Sequence, residues 1–182
     1  MRQRRPAVSF SASSMVKPRV FLDSSIFIAA LLSARGGSFY ILEQNAHYNL
    51  QTSEYVLEEV QRIVEQKFPG KGLRMAFFLT LGSRHIQILK NPPRRHCISL
   101  AKIISPGDSP ILASALIGSD YLLTLDNDFF SSKVQVFLQR QQLIVLKPKD
   151  FLEVSFALVL NPSTTPLESC PLARNQLSNN SR

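Results

Sequence analysis

The chain has 182 residues, is 45% hydrophobic and carries a formal net charge of +8. That length and apolar content suit one domain with a real core plus tails, while Cys97 and Cys170 lie too far apart for a metal-ligand motif and are too few for a disulfide scaffold. No apolar core of signal-peptide length opens the chain and its longest apolar runs fall short of a membrane span, so a soluble cytoplasmic protein with no membrane partner is expected.

Residues 1–18 are rich in Ser, Arg and Pro without periodicity and read as a disordered basic arm. Arg2, Arg4, Arg5, Lys17 and Arg19 carry most of the basic excess with no acid among them, so the remainder of the chain is only mildly basic. A solvated tail is the simplest account of the arm, and non-specific phosphate contact is the other. Met15 stands just before the first strand and is a candidate true start.

Val20-Phe21-Leu22 is an apolar strand ending on Asp23, with a helix over about 25–33 behind it. Ser24 or Ser25 can cap that helix. Arg35-Gly36-Gly37-Ser38 breaks it, a second helix covers about 38–46, and Tyr48–Thr52 reads as a second strand. Ser53 caps a helix over about 54–66, whose Val56, Leu57, Val60, Ile63 and Val64 fit a 3.6-residue stripe. A loop at 69–72, a helix over about 73–81 and a strand at 86–89 follow. Asn91–Arg95 reads as a stiff basic connection, 97–104 as a short helix, and Pro106–Pro110 as a turn into the next helix, with Pro110 in its first turn. A fourth strand at 121–125, a helix over about 131–140, a fifth strand at 143–146 and a last apolar helix at about 151–160 complete the pattern. Residues 161–182 read as a disordered tail. Strands alternating with helices predict, over 19–160, an α/β fold: a three-layer α/β/α sandwich with a central parallel sheet of about five strands.

Open α/β sheets place their ligands at the C-terminal edge of the strands. Asp23 and Asp126 each end a buried strand, and Asp108 begins a helix. Taken alone, Asp23 reads first as a cap or turn residue, and only other acids at the same edge change that reading. On the third helix the apolar stripe centres about 100° from Glu59 and about 160° from Glu58, so Glu59 borders the buried face and Glu58 faces solvent. Crowded carboxylates raise one another's pKa unless a cation holds them, and hard oxygen donors suit Mg²⁺ or Mn²⁺. His47, His85 and His96 show no metal spacing, and neither a Gly-rich phosphate loop nor a G-x-S-x-G motif is present.

From about Val20 to about Glu153 the sequence resembles the PIN-domain family of metal-dependent ribonucleases. Leu22-Asp23-Ser24-Ser25-Ile26 is similar to the family's first motif, with Ser25 where Asn is usual. Leu57-Glu58-Glu59-Val60 is similar to the second and selects Glu59, Asp108–Ala115 to the third, Asp120–Asp128 to the fourth, and Lys147–Leu152 to the usual ending. The resemblance implies a metal-dependent endoribonuclease with Asp23, Glu59, Asp108 and Asp126 as catalytic metal ligands, Asp128 as a further ligand, and Ser24 and Thr124 in support. It implies Mg²⁺ or Mn²⁺ as cofactor and RNA as substrate. A toxin role in a toxin–antitoxin pair, with an antitoxin protein or a second copy as partner, is part of the same expectation. A non-catalytic interaction module would lack a core acid, and none is missing. A phosphotransfer receiver would need an acid after the third strand, where the chain has Leu89-Lys90-Asn91.

Overall fold

Val20, Phe21 and Leu22 are fully buried, as a strand covered on both faces requires, and around them the rest of the sheet is laid. The computed structural model describes residues 17–70 and 72–160, with side chains of the last helix to Phe156. The expected arm, but for Lys17 and Pro18, lies outside the described residues, as do Met15 and the expected tail at 161–182.

Strand β1 (Arg19–Leu22) leads to α1 (Ser24–Leu32) and α2 (Gly37–Glu43), then β2 (Asn49–Ser53), α3 (Glu54–Lys67), α4 (Leu73–Ser83) and β3 (Gln87–Leu89). Helices α5 (Arg94–Leu100) and α6 (Ser109–Leu116) connect to β4 (Tyr121–Leu123). A 3₁₀ turn (Asn127–Phe130), α7 (Ser132–Leu138), β5 (Ile144–Leu146) and α8 (Pro148–Leu160) follow. The five strands form one all-parallel sheet in the order β3-β2-β1-β4-β5. The expected α/β sandwich with a five-stranded parallel sheet is therefore the observed architecture. Right-handed crossovers put α1 to α4 on one face as the chain steps from β1 to β3. They put α5, α6 and α7 on the other as it returns to β4 and β5. Helix α8 packs against α2 and β5, which returns it to the first face. Its Phe151 and Val154 are buried, and the Phe151 ring meets Tyr121 and Tyr48 edge-on at 5.3 and 5.1 Å. Among the described residues no single helix is long and apolar enough to cross a membrane.

Several expected boundaries move, each for a local reason. Asp23 itself caps α1, its Oδ1 accepting from Ser24 N at 2.6 Å, so neither Ser24 nor Ser25 is the cap. Both of those serines lie in the first turn instead. Helix α5 starts at Arg94 rather than 97, because Pro93 at φ −56° already holds the backbone near the helical value. It stops at Leu100, and 101–104 are turn and bend ahead of Pro106. Strand β4 ends at Leu123: the Thr124 side chain turns in to bond Asp23, and Leu125 is exposed. The expected cap on α3 is present, Ser53 Oγ accepting from Val56 N at 3.4 Å.

Candidate metal centre

The register of β1 on β4 brings the first two acids together. Leu22 pairs with Leu123, so the residues after each strand end, Asp23 and Thr124, leave the sheet side by side. Asp23 N donates to Leu123 O at 3.1 Å, and Thr124 Oγ1 donates to Asp23 Oδ2 at 2.7 Å. Thr124 Oγ1 in turn accepts from Asp126 N at 3.0 Å. Ser25 Oγ donates to Asp23 Oδ2 at 2.6 Å and accepts from Leu125 N at 3.0 Å. One buried carboxylate, 2% exposed, thus takes donors from Ser24, Ser25 and Thr124 and ties two strand ends to one helix start. The serine at 25 fills with its hydroxyl the place where the resemblance leads one to expect an amide side chain.

Removing the Thr124 hydroxyl should be felt on both sides of it. Thr124→Val keeps the shape but leaves Asp23 one donor short and Asp126 N without its acceptor, which should cost about 1–2 kcal/mol. Urea unfolding of wild type and variant checks this, and an unchanged midpoint would contradict the network.

The remaining acids arrive on helices. Ser53 caps α3 and sets its phase, so Val56 and Val60 are buried, Glu58 is exposed and Glu59 is half-buried at the border of the apolar face. The helical geometry that selected Glu59 over Glu58 is the geometry observed. Burial pushes the Glu59 carboxyl above its ordinary pKa; the Ser24 hydroxyl pulls it down, and the charges of Asp23 and Asp108 add to the rise. Its Oε2 is buried with no hydrogen-bond partner. Arg62, at 3.7 Å from Oε1, is a long and exposed ion-pair partner and compensates little.

Asp108 stands at the start of α6 but makes no side-chain cap bond. It accepts from Ser105 Oγ at 2.5 Å instead. Burial pushes its carboxyl up, the Ser105 hydroxyl opposes this, and Asp126, Asp23 and Asp128 push it further up. Asp126 caps the 3₁₀ turn, accepting from Asp128 N at 2.9 Å, and both Asp126 and Asp128 are exposed. The bland reading of these acids as caps is thus true of Asp23 and Asp126, yet Glu59 lies within the field of Asp23 and Asp108, and Asp108 within that of Asp126, Asp23 and Asp128.

Two side chains at this edge carry no signal in a single-sequence reading of acids. Tyr55 Oη donates to Gly107 O at 3.1 Å and ties α3 to the loop that carries Asp108. Burial raises its pKa, with Glu59 and Asp108 contributing after it. Its place one helical turn before Glu59, at i−4, was the available sign. Ser105, three residues before Asp108, is the other. Beside the acids a cleft of about 390 Å³ is lined by Ser105, Asp128 and Ser131 together with Lys102 and Lys133.

As the side chains stand, no three His, Cys, Asp or Glu among the described residues form a group that could hold a metal ion. The donor chemistry nonetheless fits a hard divalent cation. All five acids offer carboxylate oxygens, Glu59 Oε2 is buried and unbonded, and only one oxygen of Asp108 and of Asp126 accepts a hydrogen bond.

Among known families, the PIN domain matches residues 20–133, a span from β1 into α7 that includes Asp23, Glu59, Asp108, Asp126 and Asp128. No curated protein matches the chain. PIN domains are in general nucleases that use divalent metals, so the fold is of nuclease type. With that match over most of its length, an all-parallel five-stranded sheet and acids gathered at the strands' C-terminal edge, the chain belongs to the PIN-domain family.

Proposed function

We propose that the chain is a Mg²⁺- or Mn²⁺-dependent endoribonuclease that hydrolyses RNA phosphodiester bonds. The observation that carries this reading is the state of Glu59 and Asp108, each carboxyl pushed up first by burial and then by neighbouring acids (Asp23 and Asp108 on Glu59; Asp126, Asp23 and Asp128 on Asp108), with a buried carboxylate oxygen of Glu59 left unbonded. Such an arrangement disfavours its own charge, and a cation relieves it.

Asp23, Glu59, Asp108 and Asp126 would hold the metal, with Asp128 as a further ligand. When bound, the metal would lower the pKa of a water and stabilise charge on the phosphate. The chain's own part is positioning. Ser24, Ser25 and Thr124 fix the Asp23 carboxylate by donating to it, and Ser105 does the same for Asp108. Rotation of the acidic side chains about these fixed backbones would bring the ligand set together. Lys102 and Lys133 flank the cleft with positive charge suited to the phosphates of a single strand. A toxin role, with an antitoxin or a second copy as partner, rests on the family resemblance and belongs to the same proposal.

The test is RNA cleavage by purified protein in Mg²⁺, in Mn²⁺ and in EDTA. Cleavage with either ion and none in EDTA is expected. Cleavage that survives EDTA, or none with either ion, overturns the proposal.

A further inference from the structure

At the far end of the sheet from the acids, the starts of β1, β2 and β3 open onto a cavity of about 540 Å³. Lys17, Arg19, Arg84 and His85 line it together with the carboxamides of Asn49 and Gln87, and no acidic residue does. We propose that this cavity is an anion site that takes a phosphate group, supplied either by a free nucleotide or by a distal phosphate of an RNA strand.

Three independent features support the site. The first is charge. Arg19 is neutralised by Asp120 at 2.9 Å and Arg84 by Glu43. Among the described residues the Lys17 ammonium and the His85 ring make no hydrogen bond or ion pair. The second is an orphan donor: Arg84 Nε is buried and without a hydrogen-bond partner. Glu43 accepts from Nη2 only, so the guanidinium, whose planar fork matches phosphate oxygens, keeps unpaired donors beside the cavity that Arg84 lines. The third is placement. His85 has φ 52°, the one positive φ among non-glycine residues described. It follows the C-cap of α4, where a left-handed residue commonly ends a helix, and this turn sets the exposed ring at the cavity.

The floor of the cavity is ordered rather than loose. Gln51, buried in β2, donates to Gln87 Oε1 at 2.9 Å and accepts from Ser119 Oγ at 3.0 Å. The positive character of the cavity comes from side chains that substitution can remove. Strand β1 separates the cavity from Asp23 by about 13 Å along the strand, but that strand is buried, so an RNA reaching both ends passes over the surface. The phosphate chemistry stands whatever the chain's activity; only the RNA source rests on the nuclease reading.

The experiment uses the full chain in EDTA, so that neither cleavage nor a metal enters. Binding of inorganic phosphate and of adenosine monophosphate is measured by calorimetry, and binding of a single-stranded RNA oligomer by fluorescence anisotropy. The variants are Lys17→Ala, at an exposed position, and His85→Asn, because asparagine tolerates the left-handed conformation. Melting curves establish that both fold. Saturable binding of phosphate or nucleotide, weakened roughly tenfold by Lys17→Ala, supports the site with a free ligand. RNA binding alone weakened by both variants, with a salt slope smaller by about one for Lys17→Ala, supports it with RNA as the source. Binding of no probe, or binding unchanged in both folded variants, overturns the proposal. A positive phosphate result with no RNA cleavage under any metal would sink the nuclease reading and leave this site standing.

Discussion

Asp23→Ala should destabilise the protein by about 3 kcal/mol, more than loss of the carboxyl of Asp108 or Asp126. The sum has three parts. Losing the α1 cap costs about 1 kcal/mol. The hydroxyls of part-buried Ser25 and buried Thr124, pointed at Asp23 Oδ2 at 2.6 and 2.7 Å, each lose their acceptor, at about 1 kcal/mol apiece. Relief of repulsion with Glu59 and Asp108 works in the other direction, but for both of those groups burial outranks the charge of Asp23, so the hydrogen-bond losses win. Asp108→Ala is the internal contrast. Asp108 makes no cap bond and has a single hydroxyl donor, so its removal should cost well under that amount. Urea unfolding of the two variants side by side checks the ranking, and equal costs would mean that Asp23 is an ordinary cap. The gentler Asp23→Asn retains an acceptor for Ser24 N and should fold. On the nuclease proposal it should nevertheless lose RNA cleavage by on the order of 10²–10³, the size of a lost charge-stabilising group.

Glu59→Gln should move stability the opposite way. The folded Glu59 carboxyl lies above its ordinary value of 4.5 and that of Asp108 above 3.8. The folded state therefore binds these protons more tightly than the unfolded state does. Their contribution to stability is complete below the ordinary values and is lost as pH rises through the raised ones. Glu54, lowered by Lys90, has the reverse sign and is lost only as pH falls through its lowered value, so the two effects occupy different windows. In EDTA the wild type should thus lose stability as pH rises from the ordinary carboxylate range upward. Glu59→Gln removes its share of that loss by taking away a half-buried charge, a gain of about 1 kcal/mol at neutral pH. The exposed Arg62 pair it forfeits is worth a few tenths at most. Metal inverts the comparison. A cation bound only by the folded state stabilises it by about 2.7 kcal/mol at a hundredfold excess over its dissociation constant, and the variant should show less of that gain. Melting curves with and without Mn²⁺, across pH, provide the check. A variant no more stable than wild type in EDTA, with an undiminished response to Mn²⁺, would place Glu59 outside the site.

Much of this arrangement is legible in the sequence because two periodicities carry it. The continuous apolar run Val20–Leu22 specified a strand covered on both faces, and the phase of the α3 stripe separated Glu59 from Glu58. What was hidden is what depends on competition between neighbours. Asp23, Ser24 and Ser25 are all good caps, and the sequence offers the role to the acid and to the serines alike; the structure gives it to the acid, with the serines serving it. Pro92-Pro93 reads as a stiff spacer, yet Pro93 launches α5. Tyr55 and Ser105 matter through bonds to groups 52 and 3 residues away, of which only the second is within reach of a local pattern. The basic cavity is assembled from three separated segments, 17–19, 45–51 and 84–87, so no local pattern announces it.

The central claim is that the acids at the C-terminal edge of the sheet form one metal site. A crystal soaked in Mn²⁺ and measured at the manganese absorption edge tests it most directly. The account predicts an anomalous peak among the acids, about 2.0–2.2 Å from carboxylate oxygens of Asp23 and at least two of Glu59, Asp108 and Asp126. A well-ordered crystal with no peak at that edge, or with manganese bound only elsewhere, would contradict it.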